Sequence, residues 1–480
     1  MTNLINMTVL SPLDKLMPRG YIRQMLSFPT THSNISHVLK AGLAKLVADI
    51  PYLLSAVVIN EENHHYILLA EPYQTVDDLY SEQDCSDTVN YTVMREEHFP
   101  PSMFSGPGMT PPETQPPFSN PTPVFRARVS FVQGGIVLCV AVHHCTTDIT
   151  GFGVILKTWA SHCQTNGSTT TIFDPMWMDH SILLKHYDMN MRKVPSGIPK
   201  LLHIRGPDDH ARLANSRLYP DGFTTDILFF PQKTLQTLKH AVNEHITSQG
   251  VTGWVSTGDI ITALLWSAIL VAEHEWPASE ETPRTQEEKS STIGFPVNIR
   301  LRANAPLPSD YIGAAFVMAA AMSARDDLIS FAMPGSPLGD DELIGSNSIG
   351  KLAKIASTIR ISLRQVDEKS IQDALEYLNA APDDHPPITL GPRHDSISIV
   401  SWADQAAYEI DWGEAIGKCD AVRLPKLRGK RYPIILPRSP AGINDGEEGL
   451  EVIVSLEKQA LEKFEQSWPI RRFAIVRCSS

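Results

Sequence analysis

No stretch of this sequence comes near the roughly 18 consecutive apolar residues that a membrane-spanning helix needs. The amino-terminal MTNLINMTVLSPLDKLMPRG also lacks a basic region followed by an apolar run, so neither a secretory signal nor a membrane partner is expected and the chain reads as cytoplasmic. A basic surplus is missing too. Lys and Arg number 41 against 54 Asp and Glu, a formal net charge of −13, which argues against nucleic acid as a partner because phosphates require a basic face. Six cysteines, Cys85, Cys139, Cys145, Cys163, Cys419 and Cys478, show no Cys-x-x-Cys spacing and no dense framework, as in a reduced compartment. The histidines and cysteines lack ligand spacing, so no metal is expected. No internal repeat is visible.

What is present is an ordinary globular balance, 42% hydrophobic and 20% charged over 480 residues. That length exceeds one ordinary core and fits two large domains of about 200 to 250 residues. Ser33 or Ser36 can cap a helix from Ile35 to Ile50, ended by Pro51, and Leu53 to Val58 and Tyr66 to Ala70 read as strands. Between Phe99 and Val124 a proline-rich segment excludes regular structure; a lid over a site is possible, and a solvated connector is the favoured reading. From Ser161 to Asn215 periodicity is lost. A strand is expected at Thr224 to Phe230, helices at Lys233 to Val242 and around Asp259 to Trp266, and a final strand and helix at Leu450 to Leu456 and Glu457 to Phe464.

Chemistry concentrates between Phe125 and Ala160. Arg126 to Gln133 alternates apolar with polar, as a half-buried strand does, Gly134-Gly135 supplies a turn, and Ile136 to Val142 is an apolar strand. At its end stand His143, His144, Cys145, Thr146, Thr147 and Asp148, ahead of helical apolar spacing at Phe152, Ile155, Leu156 and Trp159. A strand that delivers imidazoles and a carboxylate to a helix start can build a site. Imidazole takes and returns a proton near neutral pH, but His144 and Asp148 are too close along a short loop for a direct dyad. One residue works while the other holds the loop. Without further signal, two strand-end histidines with satisfied hydrogen bonds are the commoner arrangement.

The further signal is SWADQAAYEIDWGEAIGKCDAVRLP, Ser401 to Pro425. Together the two stretches resemble the BAHD acyltransferase superfamily, particularly the fungal branch that contains trichothecene acetyltransferase. Its His-x-x-x-Asp-Gly motif corresponds to His144 to Asp148, and its Asp-Phe-Gly-Trp-Gly motif to Asp411-Trp412-Gly413. The resemblance covers nearly the whole chain. It implies an α/β fold of mixed sheets, built as two chloramphenicol-acetyltransferase-like domains with the active site at their interface: residues 1–200 carrying the first motif and 201–480 the second, joined by a long crossover. Leu10-Ser11-Pro12-Leu13-Asp14 and Tyr21 to Phe28 look like the family's opening segment and first strand.

The implied activity is acyl-CoA-dependent O-acyl transfer, most simply acetyl transfer to a hydroxyl of a fungal secondary metabolite. His144 would be the general base, acyl-CoA (acetyl-CoA) a co-substrate rather than a tightly bound cofactor, and the enzyme a monomer. Phe295 to Arg302 resembles a third family segment. A guanidinium clamps a carboxylate bidentately, and the resemblance implies that Arg300 does this to Asp148; the alternative is that Arg300 and Arg302 alternate on a strand and face solvent. Trp402 matches a tryptophan beside the reacting carbonyl in plant relatives, where an indole N–H would stabilise an oxyanion; a core tryptophan is the plain alternative. Asp411 would hold the Trp412-Gly413 turn. Lys426, Arg428, Lys430 and Arg431 would meet the phosphates of coenzyme A or simply form a solvated loop.

The chain also departs from the pattern. Ile149 replaces the glycine after the motif aspartate, Trp412 the phenylalanine, Glu414 follows Gly413, and Cys419 stands where proline is common. A β-branched residue at 149 removes both room and conformational freedom. Two further readings are therefore carried: a repurposed enzyme in which His144 serves cyclisation, elimination or isomerisation without an acyl donor, and a non-catalytic binding protein.

Overall fold

The strand, glycine turn and second strand expected from Arg126 to Val142 form the centre of the first sheet. In a computed structural model, the described residues are 10–18, 20–59, 66–69, 72–106, 108–114, 119, 121–164, 173–185, 197–204, 222–273, 289–303, 307–333, 344–381, 388–390, 397–425, 433–440 and 446–479. The first half holds β1 (Tyr21–Phe28), α1 (Ile35–Asp49), β2 (Ala56–Ile59), β3 (Tyr66–Leu69), β4 (Tyr80–Asp84), α2 (Tyr91–Glu96), β5 (Thr122–Pro123), β6 (Phe125–Val132), β7 (Gly135–His143), α3 (Ile149–Cys163) and the single-turn α4 (Ile182–Lys185), and the second opens with β8 (Leu202–Ile204). The second holds β9 (Phe223–Pro231), α5 (Gln232–Ser248), α6 (Thr257–Glu273), β10 (Ser290–Asn298), β11 (Phe316–Ala324), α7 (Arg325–Ala332), α8 (Ser346–Arg364) and α9 (Glu368–Ala380). It continues with β12 (Ile388–Leu390), β13 (Ile397–Ser398), β14 (Val400–Ser401), β15 (Ala421–Arg423), β16 (Ile434–Ile435), β17 (Gly449–Glu457), α10 (Lys458–Gln466), α11 (Trp468–Phe473) and β18 (Ile475–Ser479).

The first sheet has the order β15-β1-β7-β6-β4. Gly134, with φ of +85°, makes the β6–β7 turn. Every residue of β7 is buried, and in β6 only Arg128 and Phe131 are not, so β6 is buried on both faces rather than half-buried. One face is covered by α1 and α3, which pack on each other; a Cβ on Gly42 would sit 2.5 Å from the Cys163 sulfur, so glycine is what lets the helices approach. Trp159 lies between them and donates its indole N–H to the Leu39 carbonyl at 3.0 Å. The other face is covered by the proline-rich segment, whose Phe99, Phe104 and Met109 pack with Met25, Val137 and Cys139. The solvated connector is thus corrected: among its described residues the segment pairs as a strand only at the two-residue β5, against β2, and the apolar side chains between the prolines find the open face of the sheet.

Smaller corrections are local. Residues 51–54 form a 3-10 turn ahead of β2, and α1 starts after Asn34, which makes no side-chain cap; neither Ser33 nor Ser36 is the N-cap. The carboxyl end does not finish with strand and helix, because α11 and β18 follow and β18 pairs with β9.

The second half has a sheet ordered β14-β16-β17-β9-β18 and a smaller one ordered β11-β10-β13. β9 and β17 pair along their whole lengths, from Gly449↔Pro231 to Glu457↔Phe223. α6 is apolar nearly all round and buried accordingly. Between Ser398 and Val400 the chain passes from one sheet to the other, since β13 pairs with β10 and β14 with β16.

The halves are tied in two ways. β15, from late in the chain, joins the first sheet beside β1, with Met25↔Arg423 in register. From that strand Arg423 reaches Glu451 on β17 bidentately, at 2.8 and 3.0 Å, and also donates to the carbonyls of His98 and Phe99. Those two residues take positive φ, 58° and 56°, which turns their carbonyls toward the guanidinium. Among the described residues no helix is long and apolar enough to cross a membrane.

Candidate active site

β7 ends at His143, opposite Tyr21 of β1. The His143 ring meets Tyr21 edge-on at 5.4 Å, and its Nδ1 accepts from the Cys145 N–H at 3.3 Å. His143 is thereby spent on structure. The backbone then makes one 3-10 turn, His144–Thr146, before Asp148 caps α3, and the His144 N–H donates to the Gly20 carbonyl at 2.8 Å.

Asp148 does not face His144. Its Oδ1 accepts from the Gly151 N–H at 2.9 Å, Oδ2 from the Ala315 N–H at 2.9 Å, and both take the Arg300 guanidinium at 2.8 Å. Arg300 donates further to the carbonyls of Tyr311 and Gly313 at 2.7 and 3.1 Å, and both partners are buried, 2% and 4% exposed. The strand alternative for Arg300 is excluded, because β10 stops at Asn298, whose Oδ1 accepts the Arg300 N–H at 3.0 Å. Arg302 does not face solvent freely either; it donates to the Leu363 and Val366 carbonyls at the end of α8. Removing one member of such a buried pair leaves an unanswered charge, at roughly 3 to 5 kcal/mol.

The departure at position 149 acquires a structural account here. The tight approach falls at Gly151, where a Cβ would lie 1.9 Å from the Ile312 carbonyl oxygen. Thr147 fixes the same carbonyl with its hydroxyl at 2.8 Å. Ile149 is half-buried on the first turn of α3 and packs on the core edge. The close approach that requires glycine therefore lies two residues after Ile149.

His144 itself is half-buried, its ring 6.2 Å from that of Phe316 on β11, so strand ends from both halves meet at it. Its Nδ1 is buried with no hydrogen-bond partner. Burial pushes its pKa below the usual histidine value of 6.5, while the carbonyls of His144 and Thr147 and the carboxylates of Asp148 and Asp14 pull the other way. The neighbouring Cys145 is no ready nucleophile, because burial drives its thiol well above the ordinary range.

Trp402 is buried at 7% exposure, its backbone N–H donating to the Ile435 carbonyl at 2.8 Å. The turn it opens brings Gln405 across to Gln24 of β1 and onto Gly153 of α3, so the segment after Trp402 lies over the second turn of the helix that Asp148 caps. The Asp411 turn lies elsewhere. Gln164 at the far end of α3 donates to the Asp411 carbonyl at 2.8 Å, and 15 residues at about 1.5 Å each put that end roughly 22 Å from Asp148. Asp411 Oδ1 accepts the Gly413 N–H at 2.9 Å, and Gly413 has φ of +88°. Trp412 is fully buried between Trp159 and Phe28, at 5.4 and 6.0 Å. The turn is a plug that docks the second half onto the first. Lys426, Arg428, Lys430 and Arg431 lie outside the described residues.

Sequence reading passed over a second cluster behind the His144 turn. Asp14, wholly buried, takes the ring of His180 at 2.6 Å, with Tyr52 and Tyr311 against that ring. In the sequence Asp14 is marked only as part of an opening segment, and His180 lies in a stretch without periodicity.

This geometry can be set beside known proteins. Residues 22–163 match the model of a trichothecene 3-O-acetyltransferase-like N-terminal domain, and residues 109–336 match that of the Transferase family. The chain is similar to this transferase family through residues 22–336. It is an acyltransferase, with 23% identity over 472 residues to the O-acetyltransferase ptmV of Penicillium ochrochloron, covering 89% of each protein. The transferase shares its fold with F. graminearum TRI101, solved with coenzyme A and T-2 mycotoxin, at a TM-score of 0.73 and 18% identity over 98% of this chain and 100% of that one. Vinorine synthase is similar at 0.61 and 15%, over 96% and 93%. The mixed α/β, two-domain acyltransferase fold expected from the motifs is the fold of these neighbours.

Proposed function

We propose that the acyltransferase moves an acetyl group from acetyl-CoA to a hydroxyl of a fungal secondary metabolite, with His144 as general base. The observation that carries this reading is the placement of His144: a half-buried strand-end imidazole with its Nδ1 sealed, on a turn locked by the Asp148–Arg300 pair. The similar O-acetyltransferases and the neighbours solved with coenzyme A beside T-2 or deoxynivalenol support the substrate classes.

In this mechanism His144 Nε2 takes the proton of the acceptor hydroxyl as that oxygen attacks the thioester carbon. The carbonyl π pair moves to oxygen, giving a tetrahedral oxyanion. When it collapses the C–S bond breaks, and the departing thiolate of coenzyme A receives the proton from His144. No covalent enzyme intermediate forms. Asp148 and Arg300 hold the turn without touching the reacting atoms, the Trp402 indole N–H serves the oxyanion, and Lys426, Arg428, Lys430 and Arg431 serve the phosphates of coenzyme A. Residues 1–200 and 201–480 are the two halves between which donor and acceptor meet.

The test is product formation from acetyl-CoA and a panel of hydroxylated terpenoids, alkaloids and polyketides. Transfer by the wild type with none by a folded His144→Ala variant is expected; an active His144→Ala variant overturns the assignment. Trp402→Phe should lower kcat about 100-fold with little change in KM if its N–H acts on the oxyanion, and an unchanged kcat removes Trp402 from the mechanism.

A further inference from the structure

Asp14 and His180 form a buried charged cluster that the mechanism above does not use. Asp14 is 0% exposed and His180 2%. The carboxylate accepts from the Ser11 N–H at 2.7 Å, the Ala314 N–H at 2.9 Å and His180 Nδ1 at 2.6 Å. Among the described residues no lysine or arginine pairs with it. Nε2 of His180 is buried without a hydrogen-bond partner. A neutral ring with its proton on Nδ1 leaves only a lone pair there, whereas a protonated ring would strand an N–H. Asp14 is therefore a buried anion held by three neutral donors.

The 3-10 turn carrying Asp14, Asp14–Leu16, packs directly on the His144–Thr146 turn. The two turns share a wall, since Ala314 donates to Asp14 and Ala315 to Asp148. Asp148 is answered by Arg300, bidentately. Asp14 is the surplus. The region holds one net negative charge until His144 takes a proton, and then it is neutral.

We propose that Asp14, held by His180, is a positioning residue whose negative charge offsets the positive charge His144 acquires on taking the acceptor's proton. This rests on His144 as the base. In a buried site a charge that forms opposite a fixed counter-charge is stabilised far more than it would be in water. The other groups facing the turn do not supply that charge. Cys145 is kept a neutral thiol by burial, and burial likewise holds Tyr52 and Tyr311 protonated. Tyr21, also held protonated by burial, lies beyond His143, where Arg126 and Glu113 act on it with opposite signs.

The experiment measures kcat and KM for acetyl-CoA and an accepted alcohol from pH 5 to 9 on full-length wild type, Asp14→Asn, His180→Lys, His180→Gln and His144→Ala, with thermal melting of each. Asp14→Asn removes the charge and keeps the shape, so kcat should fall about tenfold or more and the acidic limb should move to lower pH, as for one pKa unit of lost support. His180→Lys sets a cation against Asp14 and should act in the same direction, which keeps the test alive if Asp14→Asn fails to fold. His180→Gln exchanges one neutral donor for another and should leave the limb in place. Folded Asp14→Asn and His180→Lys with the wild-type limb and kcat would overturn the proposal, as would a limb that moves equally in His180→Gln. An active His144→Ala variant defeats the base assignment instead, so the two failures are distinguishable.

Discussion

An imidazole that is to act as a base near neutral pH must be unprotonated before the alcohol arrives, and burial of His144 secures this. Because its folded pKa lies below 6.5, the acidic limb of kcat/KM is expected below pH 6.5; a limb above 6.5 contradicts the environment described here. Stability carries the same signature. As pH falls below 6.5 the unfolded chain binds a proton at this histidine before the folded chain does, so stability declines toward the lowered folded value. His144→Ala should show a flatter dependence in that window, read by denaturant midpoints at pH 7.5 and 5.5. His144, Asp148 and Arg300 were legible because residue type and local pattern point at chemistry. Asp14 and His180 were not, since single residues 166 apart carry no periodicity to join them.

Helix α3 is where the family pattern is broken and mended. Its N-cap is Asp148, its first turn holds Ile149, and its close contact falls on Gly151. Gly151→Ala is expected to be the damaging change, because a Cβ 1.9 Å from a backbone oxygen forces the 311–313 segment or the helix to move. A drop in melting temperature with loss of transfer is the expected result, whereas Ile149→Gly should retain transfer. The reverse ranking would restore weight to an enzyme that uses no acyl donor, which saturable acetyl-CoA binding by calorimetry tests directly. The far end of α3 makes a separate prediction. Trp412→Ala empties a fully buried site against Trp159 and Phe28, so unfolding free energy should fall by about 3 to 5 kcal/mol.

At the scale of the whole molecule, two buried arginine–carboxylate pairs hold distant elements together, the first across the halves and the second between the two large sheets. Arg300–Asp148 locks the site turn, and Arg423–Glu451 joins β15 in the first sheet to β17 in the second. Glu451→Gln should destabilise by about 3 to 5 kcal/mol, because the guanidinium stays buried without its anion. The double variant Arg423→Met with Glu451→Gln should recover much of that loss, a non-additivity that chemical denaturation reads. Additive losses would mean that the two residues act separately.

Sequence by itself determined what local periodicity can encode: the β6–β7 hairpin, the helix after Asp148, the apolar helix α6, and the order of motifs along the chain. It also named the side chains able to move a proton. Tertiary structure alone decided that β15 leaves its half to pair with β1, that the proline-rich segment covers a sheet face, and that Gly151 takes the close contact. It decided too that Asp148 turns away from His144 while Asp14 stands behind it. The reason is physical. Periodicity records which face of an element is buried, but the partner of a buried charge is set only when segments more than a hundred residues apart close on one another.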